Sequence, residues 1–308
     1  MRGARIVTTA IVTGGAGFIG SHLVDLLVSQ GWDVTVIDDF STGEREKLNP
    51  KARLLEASII DIEAIKPALQ EAEYVFHLAA LPRIQPSFDD PMIHEQVNVI
   101  GTIRCLEALK GSTRLRKFIY SCSSACYGNP TELPTSESAP IECLSPYALQ
   151  KYTAEQYALI LGNRFGMPVT SLRYFNAYGP GSFNLKNPFN AYSSVIGVFH
   201  DRNQAGLPLD ITGDGMQSRD FVHVFDIADA NLKAAISAPN NSIYNVGSGE
   251  RISINDLAAL FGGPVNYLPE RQGEAHTTWA DISKIMRELG WKPRISLSEG
   301  IASMTQSR

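Results

Sequence analysis

Tyr147 and Lys151 stand four residues apart in a segment with helical character, so their side chains share one helix face. An ammonium beside a phenol stabilises the phenolate and makes the tyrosine more acidic. A tyrosine treated in this way, starting from a pKa of about 10, becomes a general base that works near neutral pH. Alone the pair says little, because any amphipathic helix can contain it. Its company says more. Ser121, Ser123 and Ser124 follow an apolar strand-like run. A hydroxyl at such a strand end can hydrogen-bond a substrate oxygen beside the phenol. Some of these serines read equally well as a polar turn.

A second constellation lies near the start. The run Thr13-Gly14-Gly15-Ala16-Gly17-Phe18-Ile19-Gly20 separates an apolar strand from a helix. Gly14 permits the tight turn, Gly17 lets the backbone approach a pyrophosphate, and Gly20 lets helix and sheet pack closely. The helix start offers unpaired N–H groups and a positive dipole end to phosphates. Asp38 ends the next strand, 18 residues after Gly20. A carboxylate there accepts ribose hydroxyls and repels a 2′-phosphate, which selects NAD over NADP.

The elements that must position these groups alternate. Strands are predicted over Ile6–Thr13, Asp33–Asp38, Arg53–Ala57, Tyr74–Leu78, Lys117–Ser121 and Pro168–Arg173. Helices are predicted over Ser21–Gln30, Glu63–Glu71, Pro91–Lys110 and Pro146–Arg164, then over Phe225–Ser237, Ser253–Phe261 and Asp281–Leu289. Ser253 with Asp256 marks a helix start, and Gly290 marks a stop. This alternation implies crossover units and a parallel sheet. Tyr178–Asn190 is rich in Gly, Pro and Asn and reads as a long functional loop. The expected fold is α/β: a Rossmann doubly wound parallel sheet with a smaller C-terminal α/β substrate lobe. Residues 1–175, completed by segments around 222–247, form the dinucleotide-binding domain, and residues 176–308 mainly form the lobe.

Composition sets bounds. The 308 residues suffice for a large core, and 44% hydrophobic with 19% charged is an ordinary globular balance. A net charge of −5 provides no global positive field for nucleic acid or anionic membrane. Cys105, Cys122, Cys126 and Cys143 form no Cys-x-x-Cys pair and no zinc spacing. They read as reduced thiols, with Cys122 and Cys126 as packing residues and no metal site. No stretch approaches the roughly 20 apolar residues of a membrane span. The N-terminal apolar run is too short for a signal peptide, so cytoplasm is the expected compartment.

The glycine turn, the serines ahead of Tyr127-Gly128, the Tyr147/Lys151 pair and Arg173-Tyr174-Phe175-Asn176 occur in this order. Together they resemble the extended short-chain dehydrogenase/reductase family, in its nucleotide-sugar epimerase/dehydratase branch, from about Ile11 to Pro293. Within it the chain is most similar to UDP-glucose/UDP-N-acetylglucosamine 4-epimerases. The resemblance implies a homodimer that pairs two long helices per subunit, here Pro91–Lys110 and Pro146–Arg164. It implies Ser123, Tyr147 and Lys151 as the catalytic set, with Tyr147 as acid/base and Lys151 also held against the nicotinamide ribose. It places Phe18, Ile19, Asp38, Asp39, Ser41, Thr42, Ile59, Leu78, Ala79, Ala80, Asn98, Ser121 and Tyr174 on NAD, beside Gly14, Gly17 and Gly20. Asn176 falls on a substrate position, as does Ser124. Arg219 and Arg271, the latter followed by Glu274, match diphosphate-binding positions, and two guanidiniums suit a diphosphate. Asn190, Ala191 and Tyr192 fall where the uracil is wrapped.

The resemblance also separates activities. Dehydratase and decarboxylase relatives carry a Glu three residues before the Tyr-Gly glycine, and dehydratases add an Asp before it. Here Ala125 and Ser124 hold those positions, and neither can move a proton at the sugar C5. The gate position before Trp279-Ala280-Asp281 is Thr278, small enough to leave space for a 2-acetamido group. Two departures stand out: Ser58 replaces an Asp that meets the adenine amine, and Gly197 replaces a Pro. The implied activity is 4-epimerisation of UDP-hexoses, and of UDP-N-acetylhexosamines, through a 4-keto sugar. UDP-uronate 4-epimerase, sugar dehydratase and net reductase remain alternatives, as does a non-catalytic NAD-sensing protein. A uronate enzyme needs a cation near C6, for which Arg83 is the loop candidate.

Overall fold

The computed structural model describes residues 7–183 and 194–306. Seven parallel strands form the central sheet: β1 (Thr9–Thr13), β2 (Asp33–Asp38), β3 (Arg53–Glu56), β4 (Tyr74–His77), β5 (Lys117–Ser123), β6 (Val169–Tyr174) and β7 (Ser242–Val246). Their order is β7-β6-β5-β4-β1-β2-β3. The direction of winding reverses between β1 and β4, and ligands of such sheets bind outside the strand C-termini at that switch.

The inner strands read as near-continuous apolar runs because helices cover both faces. Successive side chains feed opposite cores. Val12, Val36 and Phe76 join Leu23, Leu27 and Ile227 from helices Phe18–Ser29 and Val224–Ser237. Ile11, Ile37 and Val75 join Ile65, Leu106 and Ala154 from helices Ile62–Glu71, Thr102–Leu109 and Pro146–Phe165. Each fully buried Leu or Ile contributes roughly 1.5–3 kcal/mol relative to an exposed one.

The helix predicted over Pro91–Lys110 is interrupted. It runs as Pro91–Glu95, a π-type turn at Gln96–Gly101, then Thr102–Leu109. The wide turn seats Asn98, which is 1% exposed, with both amide atoms on the Leu81 backbone: Oδ1 accepts from Leu81 N–H at 2.8 Å and Nδ2 donates to Leu81 O at 3.0 Å. A buried amide with two partners outweighs the regular ladder at that turn.

A second core, built on Tyr178, Phe199, Ile211, Phe221 and Leu257, lies under helices Val195–Gln204, Ile254–Phe261 and Leu297–Gln306. Leu209–Thr212 pairs in parallel with Val265–Leu268 there. Ser253 caps its helix by accepting from Asp256 N–H at 3.0 Å, and Gly290 ends Ser283–Leu289 in the left-handed region. The final helix Leu297–Gln306 has no counterpart among the predicted elements.

One ionic network ties helix Pro146–Phe165 to the sheet. Glu155 is fully buried, and Arg173 on β6 meets its carboxylate through Nη2 at 2.5 Å and Nε at 3.1 Å. Ser171 donates to the same carboxylate at 2.6 Å. Arg173 Nη1 donates to Tyr127 at 2.8 Å, and Tyr127 donates to Asn245 of β7 at 2.7 Å. Removing one partner of a buried pair strands the other charge without solvent. Arg173→Met is therefore expected to lower the unfolding free energy by about 3–5 kcal/mol. Urea denaturation measures this, and a midpoint equal to wild type would contradict it.

Candidate active site

A cleft of about 1020 Å³ opens at the C-terminal ends of the strands and runs between the sheet and the second core. Its floor at one end is the glycine turn. Gly14 has φ of 72°, and a Cβ there would stand 2.7 Å from Ala79 N; a Cβ on Gly20 would collide with the Gly14 carbonyl. Gly17 caps helix Phe18–Ser29 without a side-chain acceptor, so the first-turn N–H groups face the cleft. Asp38, 8% exposed, accepts from Ala16 N–H and Phe40 N–H, each at 2.9 Å. A carboxylate has about four acceptor sites, so capacity remains for two hydroxyls. Burial holds its carboxyl above the usual range, against those two backbone bonds. Burial acts on Asp39 in the same sense, yet Ser41, whose N–H donates to it at 3.0 Å, and the nearby Ser58 hydroxyl hold that carboxyl below its ordinary value.

Behind this end His77 fixes the loop after β4. Thr102 spends its hydroxyl proton on Asn98 O at 2.8 Å, so His77 Nε2–H must donate to Thr102 Oγ1 at 3.0 Å. His77 Nδ1 then accepts from Thr13 Oγ1 at 2.9 Å, and Thr13 accepts from Ala79 N–H at 3.2 Å. Burial, with the Lys151 charge, pushes the imidazole pKa down to about 3, so the ring stays neutral. This chain and the Asn98–Leu81 bonds set the backbone of 78–81. Asn98 itself does not line the cleft, because its amide is used on Leu81.

At the other end β5 and β6 present the reacting groups. Ser121 and Tyr174 hydroxyls lie 3.0 Å apart, and Tyr174 donates to Asn231 at 2.9 Å. Ser123 ends β5 and accepts from Ala125 N–H at 3.2 Å, and its hydroxyl lies near enough to the Tyr147 phenol to pull that group's pKa down. Tyr147, Lys151 and Glu155 recur on one face of helix Pro146–Phe165, so the Glu155–Arg173 pair sets the pitch of the two groups above it. Lys151 Nζ rests 4.6 Å over the Tyr120 ring, whose hydroxyl donates to Lys151 O at 3.1 Å.

The electrostatics differ from the expectation that Lys151 acidifies Tyr147. Burial pushes the phenol up to about 12, and the Ser123 hydroxyl and Arg83 charge pull against it. Burial also pushes Lys151 down to about 8. Desolvation acts on both members of the pair and is invisible in their spacing.

Arg219, Arg271, Glu274, Asn176, Ser124 and Thr278 line the same cleft. Arg219 stands 3.7 Å from Glu274 and donates to His276 O at 3.1 Å. Asn176 Nδ2 donates to Thr278 Oγ1 at 2.8 Å and to Asp220 O at 2.7 Å. Gly17, Phe18, Ile19, Ser41, Thr42, Ile59, Leu78, Ala79 and Ala80 also line it, so the expected residues gather in one place. Asn190, Ala191 and Tyr192 lie outside the described residues. Tyr120, Glu155 and His77 are the site residues that spacing did not single out for these roles; for Glu155, its place eight residues after Tyr147 was the available signal.

A switch-point cleft with a glycine turn, a ribose carboxylate and a Ser–Tyr–Lys group defines a dinucleotide-dependent α/β enzyme. The chain belongs to the NAD dependent epimerase/dehydratase family, whose model matches residues 10–247. It is 34% identical to the UDP-glucose 4-epimerase of Mycolicibacterium smegmatis, over 96% of this chain and 97% of that one. Among solved structures, UDP-glucose 4-epimerase from Thermotoga maritima with UDP-glucose matches at TM-score 0.90 and 36% identity, covering 97% of both chains. UDP-N-acetylglucosamine 4-epimerase from Methanobrevibacter ruminantium, in complex with UDP-N-acetylmuramic acid, matches at 0.89 and 34%, covering 98% of this chain and 99% of that one. NAD is the family's cofactor, and the glycine cradle, the open helix start and Asp38 fit it.

Lys151 gives a pH dependence. The unfolded chain keeps the ammonium proton to about 10.5, whereas the folded one releases it near 8. Between these values the unfolded state binds more protons, so stability rises with pH. In nucleotide-free protein, the wild-type melting temperature relative to Lys151→Met is expected to climb from pH 8 to pH 10. A flat difference across that range would contradict the assignment.

Proposed function

We propose that the chain is a UDP-sugar 4-epimerase that interconverts UDP-glucose and UDP-galactose and accepts UDP-N-acetylhexosamines. The observation that carries this reading is the meeting of Ser123, Tyr147 and Lys151 in one cleft where Ala125 and Ser124 stand in place of further acids. Proton chemistry is thereby confined to one hydroxyl. Tyr147 takes the O4 proton and later returns it. Ser123 orients O4 by hydrogen-bonding it beside the phenol. Lys151 supplies positive charge to the developing phenolate. NAD supplies the hydride acceptor and donor. Arg219 and Arg271 hold the diphosphate while the oxidised sugar presents its other face. Since no net oxidation occurs, the cofactor stays bound through turnover.

Residues 1–175 with 222–247 make the NAD-binding unit in this reading, and the remainder mainly makes the substrate lobe. Exposed Met92 and Ile93, with Leu149, Tyr157 and Ile160 along helix Pro146–Phe165, support a homodimer through those two helices. No helix among the described residues is long and apolar enough to cross a membrane. Four free cysteines support a reducing compartment such as the cytoplasm.

Thr278 supports the wider sugar range, because its small side chain is tied back to Asn176. Tyr147→Phe is expected to lose at least about 100-fold in kcat while binding UDP-sugars as wild type does; unchanged turnover in a product-separation assay would refute the mechanism. Thr278→Tyr fills the space and breaks the Asn176 bond. The ratio of kcat/KM for UDP-N-acetylglucosamine over UDP-glucose should fall by about tenfold or more, and an unchanged ratio would remove Thr278 as the gate.

A further inference from the structure

Behind the gate position lies a buried carboxylate that the reaction does not touch. Asp220 follows Arg219 in the chain, is 0% exposed and stands outside the lining of the cleft. Its Oδ1 accepts from Ser248 N–H at 2.6 Å and from Ser248 Oγ at 2.7 Å. Its Oδ2 accepts from Gly249 N–H at 3.1 Å and from Ala280 N–H at 3.0 Å. All of these donors are neutral, and together they fill the acceptor capacity of the group. A buried charge is costly unless it is fully hydrogen-bonded, and here backbone amides meet it instead of a cation. The result is a junction that draws the turn after β7 and the segment 278–280 onto one side chain. A Cβ on Gly247 would stand 2.5 Å from the Ala280 side chain, so turn and segment are in close contact.

Each residue of the segment is tied to this junction. Ala280 N–H is bonded to the carboxylate. Trp279 Nε1 donates to Gly249 O at 2.8 Å. Thr278 Oγ1 accepts from Asp220 N–H at 3.3 Å and from Asn176 Nδ2 at 2.8 Å. Asn176 Nδ2 donates to Asp220 O at 2.7 Å as well. Asp220 therefore grips the segment at both ends, with its carboxylate at Ala280 and its peptide group at Thr278. Thr278 and Asn176 both line the cleft. Their shared bonds to a residue outside the cavity draw the threonine hydroxyl back from the space where a sugar would lie.

We propose that Asp220 is a positioning residue for sugar selection: by anchoring 278–280 it keeps Thr278 retracted, and so keeps open the space that a 2-acetamido group needs. The proposal rests on the reading of the cleft as a UDP-sugar site with Thr278 as its gate. Without the anchor the segment is released towards the cavity, and the larger sugar loses more than the smaller one.

Asp220→Asn is the direct test. The amide keeps the volume but offers one acceptor oxygen where two stood, so its NH2 group opposes the backbone N–H of either Ser248 or Ala280. The readout is the kcat/KM for UDP-N-acetylglucosamine divided by that for UDP-glucose, measured by product separation on the full-length, NAD-loaded protein. A defect in folding, cofactor retention or diphosphate binding lowers both values together and cancels in the ratio. The ratio is expected to fall by more than about threefold in Asp220→Asn, and by less in Ser248→Ala, which removes one donor and leaves the carboxylate. In a Thr278→Ala background, Asp220→Asn should no longer lower the ratio, because the residue it acts through is gone. A smaller fall or a rise in Asp220→Asn overturns the proposal, as does a fall of equal size in the Thr278→Ala background. Should Asp220→Asn not fold, an unchanged ratio in Ser248→Ala overturns it. Wild-type turnover of only one of the two sugars overturns it as well, since no balance between them is then being held. Turnover of neither would instead overturn the reading of the cleft.

Discussion

The contact between Glu155 and Arg173 carries the geometry of this protein. It joins the helix that bears Tyr147 and Lys151 to the strand that bears Tyr174, inside a core where neither charge has water. A buried pair of this kind adds little net stability relative to an apolar replacement, but it tolerates few arrangements. Ser171 and Tyr127 bond the pair directly and Asn245 holds Tyr127, so helix register, strand register and the turn after β5 are fixed together. The separation of Ser123 from Tyr147 follows from that common fixing.

The two ends of the cleft use different physics. At the ribose and phosphate end, the chain presents backbone: bare N–H groups, glycines against carbonyls, and one carboxylate oriented by two amides. At the reacting end it presents desolvated side chains whose charge states are held away from their ordinary values by burial. The first arrangement is mostly backbone, with Asp38 and Asp39 as its titrating groups. The second is poised, and its state depends on what fills the cleft.

This contrast explains what could be read from the sequence. The glycine turn, Asp38 and the Tyr147/Lys151 spacing are local patterns, and local patterns survive in one dimension. The parallel sheet follows from the alternation of apolar runs and helices. The partnership of residues 155 and 173, the histidine between two threonines, and the wide turn at Asn98 arise only when distant segments meet. Likewise, four-residue spacing placed Lys151 beside Tyr147, but the depth of their burial, which decides their acidity, belongs to the tertiary structure.

The placement of β7 has a consequence for biosynthesis. Ser242–Val246 lies on the outer edge beside β6, and Asn245 completes the network around Tyr127. As the chain leaves the ribosome, β6 is present long before its neighbour. Until residue 246 has emerged, the catalytic half of the sheet keeps an open edge, a surface prone to wrong pairing. The lobe sequence between them is therefore also a delay, during which the half-built sheet depends on whatever shields that edge.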